Sequence, residues 1–224
     1  MSLSISIAPE LLGKVRLGVL VLDGVTVKNE DAALAAEIEA EGAGLRTRYA
    51  GVPSADVPGA ADARALYKAL GLDPTKTRPS NEALLRRVLK GEALYRVNTL
   101  VDALNLSSLR YQLPFGLYDL ARVRPHVVLR KGDVGESYEG IRKGPVNVQD
   151  RPTLADAEGA FGNPTSDSAR TMITLQTTSA LVTCYAPAGY SLPRLRQVLD
   201  GTEQALRRAC GGALVERRLL PEGG

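Results

Sequence analysis

Residues Asn98 to Asp119 read NTLVDALNLSSLRYQLPFGLYD, and this stretch decides the fold because a helical pattern runs into a strand-like one inside it. Asn98, Asp102, Asn105, Ser108 and Arg110 form a polar ladder on the helical pattern, which then meets the rigid Pro114 and the flexible Gly116. Such a ladder is suited to lining a polar pocket rather than to filling a core. The helix is expected over Thr99 to Arg110, with the chain turning extended from Phe115.

Upstream, the apolar run Val15 to Leu22, closed by Asp23-Gly24, reads as a strand and turn, with Val25 to Val27 continuing a hairpin-like edge. Asn29 is read as the N-cap of a helix over Glu30 to Ala43. A Pro- and Gly-rich loop from Val52 to Gly59 leads into a helix over Ala60 to Leu70, and Ser80 is read as the cap of Asn81 to Lys90. Downstream, short apolar runs at Val127 to Leu129, Val146 to Val148, Met172 to Leu175 and Ala180 to Tyr185 alternate with Gly, Pro and Asp breaks, as strands do. An amphipathic helix over Ser191 to Cys210 and a strand over Ala213 to Leu219 close the chain. The expected fold class is α+β in three layers, with a central sheet or sandwich flanked by helices. We expect one unit over 1–224: an N-terminal strand and helices (1–75), a pocket core (76–187), and a C-terminal helix and strand (188–224).

Composition narrows the function classes. With 224 residues, 44% hydrophobic, the chain can bury an ample core, and no run approaches the roughly 20 apolar residues of a membrane span. The start MSLSISIAPE lacks the layout of a signal peptide, so a cytoplasmic location is expected. Cys184 and Cys210 read as free buried thiols, and one histidine with two distant cysteines cannot assemble a zinc site, so no metal and no cofactor is expected. A net charge of +3 permits an anionic partner. Positive charge clusters at Arg46 and Arg48, Lys76 and Arg78, Arg86, Arg87 and Lys90, Arg122 and Arg124, Arg142 and Lys143, and Arg207 and Arg208; these are either phosphate contacts, with Lys76, Arg78, Arg86, Arg87, Arg122 and Arg142 as the candidates, or solvated faces balanced by 25 acids. With no Trp and two Phe, a stacking platform for extended single strands is disfavoured.

His126 has no nucleophile near it in sequence and reads as a structural or surface residue, and no nucleophile elbow or phosphate loop occurs. The segment GNPTSDSART, Gly162 to Thr171, places Asn163, Thr165, Ser166, Asp167, Ser168 and Arg170 between two strands. It is either an ordinary turn or a polar cradle in which hydroxyls and amides hold an ester while Arg170 meets a phosphate.

The opening stretch resembles the B3/B4 tRNA-editing domain of the phenylalanyl-tRNA synthetase beta subunit. That family has a V-D-x-x-N helix followed by Q-P-M-H-A-F-D; Val101, Asp102 and Asn105 match the first part, and Pro114, Tyr118 and Asp119 the second. The similarity extends from about Arg78 to Ala186, with Val127, Arg130, Gly135 and Glu136 matching a further motif, and T-T-S-A-L-V-T-C resembling the strand T-Q-N-V-L-L-E-C. R-P-S-N-E-A-L-L-R-R-V-L-K-G looks closer still to free-standing proteins of this type.

The resemblance implies a β-sandwich flanked by helices and a pocket for an aminoacyl ester. It places Asn98, Asp102, Asn105, Pro114, Phe115, Gly116, Asn163, Thr165, Arg170 and Thr183 at the substrate, with Ser166, Asp167 and Ser168 as candidates for the chemistry. Two positions depart from the pattern, since the family's His is Gly116 here and its Glu is Thr183. The expectation is a trans-acting editing hydrolase whose partner is an aminoacylated tRNA 3′ end, not DNA or a membrane, with an amino acid other than tyrosine. The rivals are a non-catalytic binder of tRNA or of a free amino acid and a small-molecule enzyme or sensor; oligomeric state is open.

Overall fold

The computed structural model describes residues 3–221. In chain order the strands and helices are β1 (Ser4–Ile7), β2 (Val15–Asp23), α1 (Ala32–Arg48), α2 (Pro58–Ala69), α3 (Ser80–Leu89), α4 (Thr99–Tyr111), β3 (Phe115–Asp119), β4 (His126–Lys131), β5 (Ser137–Gly140), β6 (Lys143–Asn147), β7 (Pro152–Asp156), β8 (Gly159–Gly162), β9 (Ser179–Pro187), α5 (Leu192–Cys210) and β10 (Ala213–Leu220). They build an α+β fold with three sheets. One sheet has the order β10-β2-β9-β3 with antiparallel neighbours, and a second has the order β1-β4-β7-β8, in which only β1 and β4 run parallel. The third is the β5-β6 hairpin.

Strand alternation explains the layering. Leu20, Leu22, Val182 and Cys184 point from β2 and β9 toward Leu100, Leu106 and Leu199 of the helices. The alternate residues Leu17, Val19, Leu181 and Tyr185 point the other way, onto Ile5, Val127, Leu129, Leu154 and Phe161 of the second sheet. The β10-β2-β9-β3 sheet is therefore buried on both faces, which is why β2 and β9 read as continuous apolar runs. Cys184 and Cys210 are free and buried. Among the described residues, no helix is long and apolar enough to cross a membrane.

The structure corrects several boundaries. Asp31, not Asn29, caps α1, because its carboxylate accepts from the Leu34 amide. Ser80 is the first residue of α3 rather than its cap, and its buried hydroxyl is unpartnered. Val25 and Val27 pack into the core without joining a strand. Met172 to Leu175 are irregular chain. Strands β7 and β8 fall where no apolar run announced them, because Pro152 and the glycines of β8 dilute the pattern.

Two helical glycines give substitutions of opposite sign. A Cβ on Gly59 of α2 would lie 2.1 Å from Cβ of Gln112, which follows α4 with φ 53°, whereas one on Gly44 of α1 meets nothing within 4 Å. Gly59→Ala is expected to lower stability by about 1–3 kcal/mol through overpacking against near-rigid chain. Gly44→Ala is expected to raise it by up to about 1 kcal/mol through helix propensity. Thermal melts of both variants check the pair; equal signs would contradict this packing.

Candidate functional site

A cleft of about 890 Å³ opens between α3, α4 and β3 on one side and the turn after β8, the β5-β6 hairpin tip and residues 172–176 on the other. Asn98, Val101, Asn105 and Ser108 of α4 reach it because their spacing puts them on one helical stripe. Their polar groups are not equivalent. The Asn98 side chain accepts from the Val101 amide as the N-cap, and the Ser108 hydroxyl donates to the Leu113 carbonyl at 2.8 Å. Asn105 is half-buried, and among the described residues its carboxamide has no hydrogen-bond partner. Asp102 lies off the stripe, accepts from the Val97 amide at 3.1 Å, and fastens the chain entering α4. Burial raises its pKa. It is a structural residue here rather than a pocket group.

On β3, alternation separates the expected residues. Phe115 and Leu117 face the cleft, while Gly116 and Tyr118 face the second sheet. Thr183, paired with Gly116 across the β3-β9 ladder, is fully buried on that same inter-sheet side. Gly116 and Thr183 thus do not line the cleft, and neither does Pro114, whose carbonyl accepts from the Tyr185 amide.

The turn after β8 is built by Asn163, whose side-chain oxygen accepts from the Thr165 and Ser166 amides at 2.8 and 2.9 Å. Its amide nitrogen donates to the Tyr138 hydroxyl, which itself donates to the Ser166 carbonyl. The Thr165 hydroxyl lies 2.9 Å from that of Tyr67, and Lys143 donates to the Ser166 hydroxyl at 2.7 Å. Asn163, Thr165, Ser166 and Asp167 all line the cleft. Asp167 is held by its backbone, which bridges Gly162 and accepts from the Ile141 amide. The residue is partly accessible, yet its Oδ1 is fully buried without a partner. Burial pushes its pKa up to about 7, partly offset by the Tyr118 hydroxyl, the Leu117 amide and the Lys143 charge.

Beyond Asp167 the chain turns away. Ser168 is buried, and its hydroxyl accepts from the Arg170 amide to cap a short helical turn. Arg170 pairs with Asp156 at 2.9 Å and Glu158 at 3.1 Å, donates to the Arg122 carbonyl, and lies over the Phe161 ring. The expected roles of Ser168 at the reacting ester and of Arg170 at a phosphate are therefore not supported by placement, since neither lines the cleft.

Of the six expected tRNA contacts, Arg78 and Arg142 line the cleft; Lys76, Arg86, Arg87 and Arg122 lie outside its lining. Arg87 is committed to Glu92 and Tyr95. Lys143, the basic neighbour of Arg142, lines the cleft as well, and two contributors carried no signal of a site: Met172 and Ile173, which resemble strand residues, instead form an apolar wall. The His126 ring, exposed on β4, contacts the Ser4 hydroxyl away from the cleft.

Chemically, the cleft presents the half-buried Asn105 carboxamide, one carboxyl poised near neutrality, hydroxyls on a rigid turn, an apolar wall, and cations at Arg78, Arg142 and Lys143. A sequence model of the family described as "B3/4 domain" matches residues 62–209 of this chain. An N-terminal fragment of the phenylalanyl-tRNA synthetase beta subunit from Pyrococcus horikoshii shares the fold with a TM-score of 0.51 at 12% identity. The match covers 99% of this chain and 55% of that fragment, so the chain spans about half the fragment's length. No curated protein matches the chain.

Proposed function

The chain belongs to the B3/4 domain family, and from that premise we propose that the cleft binds the aminoacylated 3′ end of a tRNA and hydrolyses its ester. The observation that carries this reading is that Asn105 and Asp167 border one cleft and that, among the described residues, the first side chain has no partner and the second has a buried, unpartnered oxygen. Asp167 takes a proton from the attacking water, Asn105 donates to the oxyanion formed at the ester carbonyl, and the proton returns to the departing ribose oxygen. Arg78 and Arg142 meet the flanking phosphates. The wall of Leu104, Phe115, Leu117, Met172 and Ile173 receives the apolar side chain of the amino acid.

Ester loss across a panel of mischarged tRNAs tests the proposal. Acceleration over buffer is expected for esters of apolar amino acids, and none across the whole panel would overturn hydrolysis. One observation favours a second reading, a binder of a free amino acid or similar small ligand: four of the six expected phosphate contacts lie outside the cleft lining. Saturable binding of a free amino acid with no deacylation of any tRNA would select it.

A further inference from the structure

We infer that Tyr118 is the positioning residue for Asp167, its hydroxyl standing beneath the cleft at Gly162, the residue paired with Asp167, in a slot that exists because positions 116 and 162 are glycine. This rests on the role proposed above for Asp167. A Cβ at Gly116 would lie 2.1 Å from the Tyr118 hydroxyl, and one at Gly162 would lie 2.4 Å from its ring. Both distances are far inside contact, so either side chain evicts the phenol. Phe161 holds the ring from a third side, edge to face with centroids 5.0 Å apart.

The other groups facing Asp167 are already engaged. The Tyr138 hydroxyl of β5 donates to the Ser166 carbonyl, and Lys143 of β6 donates to the Ser166 hydroxyl. The Tyr185 hydroxyl of β9 lies 3.5 Å from that of Tyr118, at the limit of a hydrogen bond, and the Leu117 amide of β3 is a fixed backbone donor. Tyr138 and Lys143 are thus committed to Ser166, whereas Tyr118 and Tyr185 share only the contact with each other, and of the two it is Tyr118 whose hydroxyl lies at Gly162, opposite Asp167. Among the described residues its hydroxyl makes no hydrogen bond to Oδ1 of Asp167, but a Cβ at Gly162, directly across an antiparallel bridge from Asp167, would lie 2.4 Å from that hydroxyl, which sets the phenol beside the Asp167 side chain. Burial, together with Asp167 and Tyr185, pushes the phenol well above its usual range, so it remains a proton donor wherever Asp167 titrates.

The test reads the Asp167 carboxyl directly, by carbon NMR titration of the unliganded protein, with ester hydrolysis followed in parallel. Tyr118→Phe keeps the ring in its slot and removes only the hydroxyl; the midpoint of Asp167 is expected to rise by about half a unit or more, and the pH–rate profile to move up with it. A stronger phenolic donor, 3-fluorotyrosine at position 118, is expected to move both down. A midpoint unmoved by either change overturns the assignment. If the wild type hydrolyses no ester but the titration moves as stated, the hydrolase reading fails and the Tyr118–Asp167 coupling stands.

Discussion

Asp167→Asn is expected to slow ester hydrolysis by about a hundredfold to ten-thousandfold, the usual contribution of a positioned general base. The same substitution is expected to make the protein more stable above neutral pH. The sign follows from burial, which raises the folded-state pKa of Asp167 from 3.8 to about 7. Between those values the folded chain keeps a proton that the unfolded chain releases. The stabilisation is complete below about pH 4 and is lost as pH rises through about 7. Asparagine has nothing to ionise, so that slope should vanish, with a gain at pH 8 on the order of a few kcal/mol. Denaturant melts from pH 4 to pH 8 check the stability arm. Hydrolysis by the wild type should rise through about pH 7 as the carboxyl becomes a base. A variant with wild-type turnover would remove Asp167 from the chemistry.

Asn105→Ala is expected to lower kcat by about a hundredfold or more, the cost of losing one oxyanion donor, with a smaller effect on KM. Stability should move by less than about 0.5 kcal/mol, because the carboxamide bonds to no described residue and its loss strands no partner. Asp102→Ala provides the contrast. It leaves the Val97 amide without its acceptor, so it should cost stability with little direct effect on the bond-breaking step. Single-turnover kinetics and melts on the two variants separate them. Loss of stability in Asn105→Ala would mean that the residue supports the fold instead of the substrate.

Of the polar ladder on α4, the part through Asn98, Asn105 and Ser108 was legible in the sequence, because spacing on a helix fixes which residues share a face, whereas Asp102 and Arg110 lie off that stripe and Arg110 pairs with Glu37 and Glu41 instead. The sequence also marked the turn from Asn163 to Asp167, since Asn-Pro and Ser-Asp are turn chemistry and the local hydrogen bonds of Asn163 realise it. Which residues of β3 face the cleft was not legible. A strand alternates every residue, and one step separates Phe115 in the cleft from Gly116 behind it. The family resemblance pointed to β3 and β9, but no residue of β9 lines the cleft, and the ladder between the two strands puts Gly116 and Thr183 on the inter-sheet side. Ser168 and Arg170 were misplaced for a similar reason. The short helical turn at Ala169–Thr171 redirects the chain, and Arg170 is captured by Asp156 and Glu158, acids that only the fold brings near it. The basic clusters dispersed because charge pairs in sequence say nothing about which face of the molecule carries them.

A structure with a non-hydrolysable mimic of the acylated 3′ end, adenosine carrying an apolar amino acid through a 3′ amide, tests the central claim most directly. The account predicts that the acyl group lies between Asn105 and Asp167, with its side chain against Phe115, Leu117 and Ile173 and its adenosine toward Arg142. A mimic bound elsewhere on the protein, or an empty cleft at saturating mimic, would contradict it.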